Sequence, residues 1–413
     1  MNTPPRWSNW AGTIHCTPQQ IAMPATEAEV VDLVRQARQN GQRVRIAGSG
    51  HSFTPLCATE EMLISLDRLQ GLVRVDPRQH QATIWAGSKL YALGDPLWEH
   101  GLALANMGDI DRQTLAGAIS TGTHGTGRTL GSLSTQVVGI RLVSGTGELI
   151  ELSAATDPQW HQAAAVALGA LGVITQVTLQ LVPAYGLHER TWIVPFADCL
   201  AQLPEQIQAN RHFEFFWVPE ADACAMKALN PVPCPPHGQP FPTPRPAPPP
   251  AASGRLTRYV RPEQIDRSYR IFPSERTLKF REMEFALPAA YGPACLCEIR
   301  QLMQQRYPDV RWPLEYRTVA ADDLWLSPAY GRATVTISVH QAAELPHQPF
   351  FDEVEAIFRT YEGRPHWGKL HTHTTTELQS LYPQWAAFAA IRQQLDPDGL
   401  FCNPHLLTIF AAG

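Results

Sequence analysis

Hydrophobic positions in the first third of the chain switch between helical and strand spacing. From 26 to 41, Val30, Leu33, Val34 and Ala37 fall on one helical face behind Thr26 and Glu29, which have the types and separation of a capping box. Gly41 ends this helix. Residues 43–47 then read as a short buried strand running into a glycine and serine turn, and 62–66 and 82–86 read as further strands, so α and β alternate. Residues 137–143 and 148–152 flank Ser144-Gly145-Thr146-Gly147, whose glycines permit the positive φ of a tight hairpin. Part of the sheet is therefore expected to be antiparallel. A strand over 173–181, closed off by Pro183, is the last before this rhythm is lost.

A domain boundary is expected near 183, because 413 residues exceed one ordinary core. Between 231 and 250 proline dominates, which removes backbone donors and predicts a surface loop without sheet or helix. The stretches 272–285, 311–319 and 333–339 are strand-like and predict a second domain built on a sheet. Hydrophobic residues make up 44% and charged residues 17%, enough apolar material for large cores. A net charge of −5 without a dense Lys/Arg cluster argues against nucleic acid. No stretch reaches the roughly 18 apolar residues of a membrane span, and the first residues lack a signal-type apolar run. Eight scattered cysteines without a CxxC pair read as free thiols in a reducing cytoplasm.

Two segments carry the chemistry. In Arg45-Ile46-Ala47-Gly48-Ser49-Gly50-His51-Ser52-Phe53, a strand followed by small residues exposes consecutive N–H groups suited to anionic oxygens such as a pyrophosphate. It is not the dinucleotide fingerprint, since Phe53 replaces the last glycine of G-x-G-x-x-G. The second, Ala116-Gly117-Ala118-Ile119-Ser120-Thr121-Gly122-Thr123-His124-Gly125-Thr126-Gly127, combines glycines with hydroxyls and an imidazole. Such a run lets backbone approach a ligand closely.

Together these loops resemble the FAD domain of the vanillyl-alcohol-oxidase superfamily, in its branch of sugar-1,4-lactone and alditol oxidases. Trp7-x-Asn9-Trp10-Ala11-Gly12 and Pro365-His366-Trp367-Gly368-Lys369-Leu370-His371 match the same branch. The resemblance implies a two-domain α+β fold with a sheet-based substrate (cap) domain. FAD binding is expected over 1–183, the cap over 184–375, and a return to the FAD domain over 376–413. It implies FAD joined through its 8α-methyl to His51; without a cysteine near Gly117–Gly125, a single histidyl bond is expected. Ile46, Gly48, Ser49, Gly50, Ser52, Gly108, Asp109, Gly117, Ser120, Thr121, Gly122, His124, Gly125 and Ile174 are the further cofactor contacts it implies.

Glu315 and Arg317 share a face of one predicted strand and, with Lys369, match the family's active site. The resemblance gives Lys369 and Arg317 the charge developing on the reduced flavin, and Glu315 the substrate hydroxyl. On the residues alone, Glu315 and Arg317 read rather as a solvated charge pair on a strand, the usual fate of such pairs. His366, His371 and His373 are not expected to bind metal, because no acidic residue or cysteine adjoins them in sequence and Lys369 lies among them. Gly108, where the family leaves room for O2, permits oxidase activity. Asp109 replaces the serine of alditol oxidases and tilts the expectation to a lactone. The expected reaction is oxidation of the C2 hydroxyl of an aldono-1,4-lactone, with hydride transfer to flavin N5 and O2 reduced to H2O2. The alternatives are an alditol oxidase, a lactone dehydrogenase using a cytochrome or quinone, and a flavin-binding protein without turnover.

Overall fold

The computed structural model describes residues 5–235, 239–244, 254–274 and 277–410. The predicted first helix is Glu27–Gln39. Thr26 accepts from the Glu29 N–H, but the Glu29 carboxylate reaches Ala25 N rather than Thr26 N, so the reciprocal half of the box is displaced by one residue. Gly41, at φ +61°, turns the chain out of the helix.

Strands Gln20–Ala22, Met62–Ser65 and Val44–Ala47 form a small parallel sheet with Met62–Ser65 in the centre. A five-stranded antiparallel sheet follows in the order Leu149–Ser153, Val137–Val143, Val173–Gln180, Gln81–Trp85, Leu72–Asp76. The expected hairpin at 144–147 is present, but of its two glycines only Gly147 takes positive φ. Gly145 serves close approach instead, since a Cβ there would meet the Asp396 carboxylate at 2.5 Å. Pro183 does not close a strand; Val182–Pro183 pairs with Leu102–Ala103. Helices Thr375–Leu381, Trp385–Leu395 and Pro404–Phe410 pack into the same core as these sheets.

From Gly186 the chain enters an eight-stranded sheet ordered Gln264–Arg267, Gly186–Pro195, Ala223–Val232, His212–Val218, Leu314–Val319, Thr334–Ala342, Phe280–Pro288, Arg364–Pro365. The expected exclusion of sheet from 231 onward fails at its start. Pro231 and Val232 extend a strand, with Pro231 opposite Leu187 and beyond Leu229, the last residue paired with His212–Val218 on the other side. Residues 233–235 and 239–244 are neither helix nor strand, and the remainder of that stretch lies outside the described residues. The stretch 272–285 is only partly strand: Ser268–Ile271 is a helical turn and the strand begins at Phe280.

Alternation along these strands splits the sheet into two unlike faces. Phe213, Phe215, Trp217, Met226, Met283, Phe285, Tyr316, Ile337 and Val339 turn one way and pack with helices Phe196–Ala209, Gly292–Arg306 and Gln348–Thr360. The residues between them, including Glu214, Lys227, Glu282, Glu284, Glu315, Arg317, Ser338 and His340, point the other way, and all are buried. A fully buried polar face demands internal partners for every charge. That requirement builds the site.

Candidate active site

His51 follows strand Val44–Ala47 in a loop held from two sides. Trp10 N–H donates to Gly50 O at 2.7 Å and the Asn9 amide donates to Ser52 O at 3.0 Å. From the opposite side, Phe53 N–H donates to Gly368 O at 2.7 Å and Thr54 Oγ1 to Trp367 O at 3.0 Å. Gly50 takes φ +69°, and a Cβ on it would press on Trp7 and the Asn9 backbone. The two outlying motifs thus clasp the histidine loop. The His51 ring lies against Trp10, with centroids 5.6 Å apart and 28° between planes, and its buried Nδ1 has no hydrogen-bond partner. Burial, with Lys369, Lys279 and Lys89 nearby, depresses its pKa to about 4.

Two cavities meet at this histidine. A narrow one of about 100 Å³ runs between Arg45–Ser52 backbone and side chains Thr114 to Thr121, bordered by Ile46, Gly48, Ser49, Gly117, Ser120 and Ile174. The cleft is narrow because the loops touch: a Cβ on Gly48 would come within 2.2 Å of Thr114 Oγ1, which accepts from Gly117 N–H and caps helix Leu115–Ser120. The wide cavity, about 1110 Å³, is bordered by His51, Ser52, Gly108, Asp109, Thr121, His124 and the polar face of the eight-stranded sheet. An elongated cofactor fits this shape. One end would lie along loop N–H groups and the other would reach an unpartnered histidine nitrogen.

On the sheet, Glu315 and Arg317 are an ion pair in the wide cavity, not a solvated surface pair. Arg317 Nε also reaches Glu214 at 3.0 Å, and its guanidinium lies 3.2 Å from Asp109. Lys227 balances this cluster, 2.9 Å from Glu214 and 3.8 Å from Asp109. Burial alone would lower the Arg317 pKa, but Glu315, Asp109 and Glu214 outweigh it and hold the guanidinium charged. Asp109, expected to contact the cofactor, is tied to Arg317 and Lys227 on the sheet.

Lys369 emerges after Trp367, which is wholly buried and donates to Leu326 O at 2.6 Å, and pairs with Glu282. Glu284 meets His124 Nε2 at 2.6 Å and accepts from Ser338 Oγ at 2.9 Å. Burial would raise its pKa, yet His124 holds the carboxyl well below the usual range. His124, also expected at the cofactor, is thus pinned to the sheet. Gly122 and Gly125 border neither of these two cavities. Gly122 turns the chain at φ +72° beside Pro328, and Gly125 lies under Met107 O, where a Cβ would stand 2.3 Å away. At Gly108 the space for a Cβ is bounded by His124 O at 3.0 Å. Its lack of a side chain serves loop packing directly.

The histidines 366, 371 and 373 do not act together. His366 joins His124 and Glu284, whereas His373 pairs with Glu355 at 3.0 Å. Acidic partners that the sequence places far away are therefore supplied by the fold. Sequence reasoning missed Glu214, Lys227, Glu282, Glu284 and His340. The available signal was their alternation with bulky apolar residues in His212–Val218, Phe280–Pro288 and Thr334–Ala342. All eight cysteines are free, and among the described residues no helix is long and apolar enough to cross a membrane.

Residues 18–153 match a family model described as FAD binding domain, and residues 177–254 and 251–409 match D-arabinono-1,4-lactone oxidase. The chain is 40% identical to L-gulono-1,4-lactone dehydrogenase of Mycobacterium tuberculosis, covering 97% of this chain and 98% of that protein. It is 30% identical to L-gulonolactone oxidase of Bos taurus (98% and 98% covered) and 30% identical to alditol oxidase of a Streptomyces species (97% and 97%). Among solved structures, cholesterol oxidase from Brevibacterium sterolicum superposes with a TM-score of 0.85 over 99% of this chain and 97% of that one, at 18% identity. Chitooligosaccharide oxidase does so with 0.75 over 96% and 93%, at 16% identity. Those structures share the two-domain α+β flavoenzyme fold.

Proposed function

Because the chain belongs to the D-arabinono-1,4-lactone oxidase family of flavin oxidoreductases, we propose that it oxidises the C2 hydroxyl of an aldono-1,4-lactone with FAD bound covalently to His51. One observation carries this reading: an unpartnered, neutral His51 nitrogen borders the same cavity as a buried strip of paired carboxylates and cations. Bound there, FAD supplies the two-electron oxidant, taking hydride at N5. Residues 46–52 and 117–121 hold it along the narrow cleft, and we assign 1–183 and 376–413 to its domain, with 184–375 as the cap. Lys369 places a cation near His51 in the same cavity, where it would stabilise negative charge on a reduced flavin held there. Arg317 holds Glu315, and Glu315 would position the substrate hydroxyl in the wide cavity. The free thiols support a reducing, cytoplasmic setting.

Asp109 and the likeness to two gulonolactone enzymes support a lactone over a linear polyol, while the likeness to alditol oxidase keeps a polyol as the second reading. We take O2 as the acceptor, giving H2O2. The dehydrogenase relative favours a cytochrome or quinone as the alternative. Anaerobic bleaching of the flavin by L-gulono-1,4-lactone but not xylitol, then recovery in O2, is the expected outcome; bleaching by xylitol alone overturns the lactone. After acid denaturation the yellow colour should stay with the protein and be lost in His51→Ala. Colour passing a filter with the wild type would refute the bond.

A further inference from the structure

His340 sits on the polar face of the sheet with its two ring nitrogens in different situations. Nδ1 lies 3.0 Å from the carbonyl oxygen of Pro313. A carbonyl only accepts, so Nδ1 carries the proton and donates it. The neutral ring is thereby fixed in the tautomer whose lone pair is on Nε2. Phe280 and Trp312 flank the ring at centroid distances of 5.5 and 6.3 Å, and hold it so that it borders the wide cavity. Nε2 is 3.6 Å from Glu282, within ion-pair range, and ligand atoms of His340, Glu282 and Glu315 all lie within 4.8 Å of one another. Unprotonated, the lone pair confronts two carboxylates. Protonated, it would donate to them.

The carboxylates of this cavity are already engaged. Glu315 is paired with Arg317, Glu214 with Arg317 and Lys227, Glu282 with Lys369 and Glu284 with His124. For Glu282 and Glu284, against the effect of burial, these partners hold the carboxyl below its usual range.

We propose that His340 Nε2 is the general base that takes the proton of the substrate hydroxyl, with Glu282 and Glu315 stabilising the imidazolium formed. This deepens the lactone reading and rests on it. As the O–H bond breaks, its electron pair becomes the second C–O bond. The C–H bond leaves with both electrons as hydride to FAD, which is reduced by two electrons, and the proton stays on His340. Lys369 faces the same carboxylate from the other side, so proton arrival at His340 pulls Glu282 between two cations.

His340→Asn keeps an N–H for Pro313 and removes the base, and His340→Gln is the second variant. Flavin reduction should slow by roughly a hundredfold or more, with substrate affinity within about threefold. Reduction within about threefold of wild type overturns the proposal. A readout without turnover is nitrogen NMR of histidine-labelled protein, with the His340 signal assigned from whichever variant folds. In the neutral ring the proton should sit on Nδ1; a neutral ring protonated on Nε2 overturns the assignment. If only a polyol bleaches the wild-type flavin, the lactone reading falls, and the same comparison on the polyol still decides His340.

Discussion

Burial that leaves His51 neutral also leaves its Nδ1 without a partner, so at the residue scale reactivity and pH sensitivity share a cause. His51, His366 and His405 are depressed to about 4, and His212 and His371 to about 3, each mainly by burial. A histidine whose folded pKa lies below the ordinary 6.5 binds its proton more readily unfolded, so stability is lost as pH falls from 6.5 towards 4. Asp322, raised to about 6 by burial, and Asp396, also raised by burial, work in the opposite direction but stand against these five and the likewise lowered His161 and His347. The midpoint of urea unfolding should therefore drop steadily between pH 6.5 and 4; a flat midpoint there would contradict the buried-neutral assignment. Lys369→Ala should slow flavin reduction by roughly a hundredfold while the FAD content of purified protein stays near wild type. Equal loss of both would make Lys369 a cofactor-retention residue instead.

Two loops pressed against each other define the narrow cleft, and the contact between Gly48 and Thr114 sets its width. Gly48→Ala must push back Thr114 Oγ1, which would lie 2.2 Å from the new methyl and which caps helix Leu115–Ser120. Overpacking of this kind costs about 1–3 kcal/mol. The expected result is lower stability in urea together with FAD loss, whereas Thr114→Ala should cost about 1 kcal/mol through the lost cap. In the eight-stranded sheet, the element-level pattern is the strict alternation of Phe213, Phe215 and Trp217 with Glu214 and Phe216. A one-residue slip of this strand would place the Glu214 carboxylate in the apolar core, which favours one register with its neighbours.

Across the whole molecule, Arg45 joins segments that are remote in sequence. It is buried and donates to the carbonyls of Leu56, Leu168, Gly169 and Phe401, with no carboxylate in contact among the described residues. The carbonyl of Leu400 meanwhile accepts from Val44 N–H. The C-terminal segment is thus sewn to the strand that leads into the His51 loop. Replacing Arg45 by Met leaves buried carbonyls without donors and should destabilise by about 3 kcal/mol or more in equilibrium unfolding. A loss under about 1 kcal/mol would mean water replaces the guanidinium.

By itself the sequence determined the local features: the first helix, the 137–153 hairpin, the glycine loops, and Glu315 and Arg317 on one strand face. These depend on spacing within a few residues, which periodicity and turn chemistry reveal directly. His51 was legible as one residue in a motif. What only the tertiary structure decided was which charges meet. Glu214 and Arg317 are neighbours through cross-strand register, as are Glu282 and His340, and Asp109 and His124 join them from loops more than a hundred residues away. Buried ions take partners by proximity in space, and proximity across a sheet has no signature along the chain.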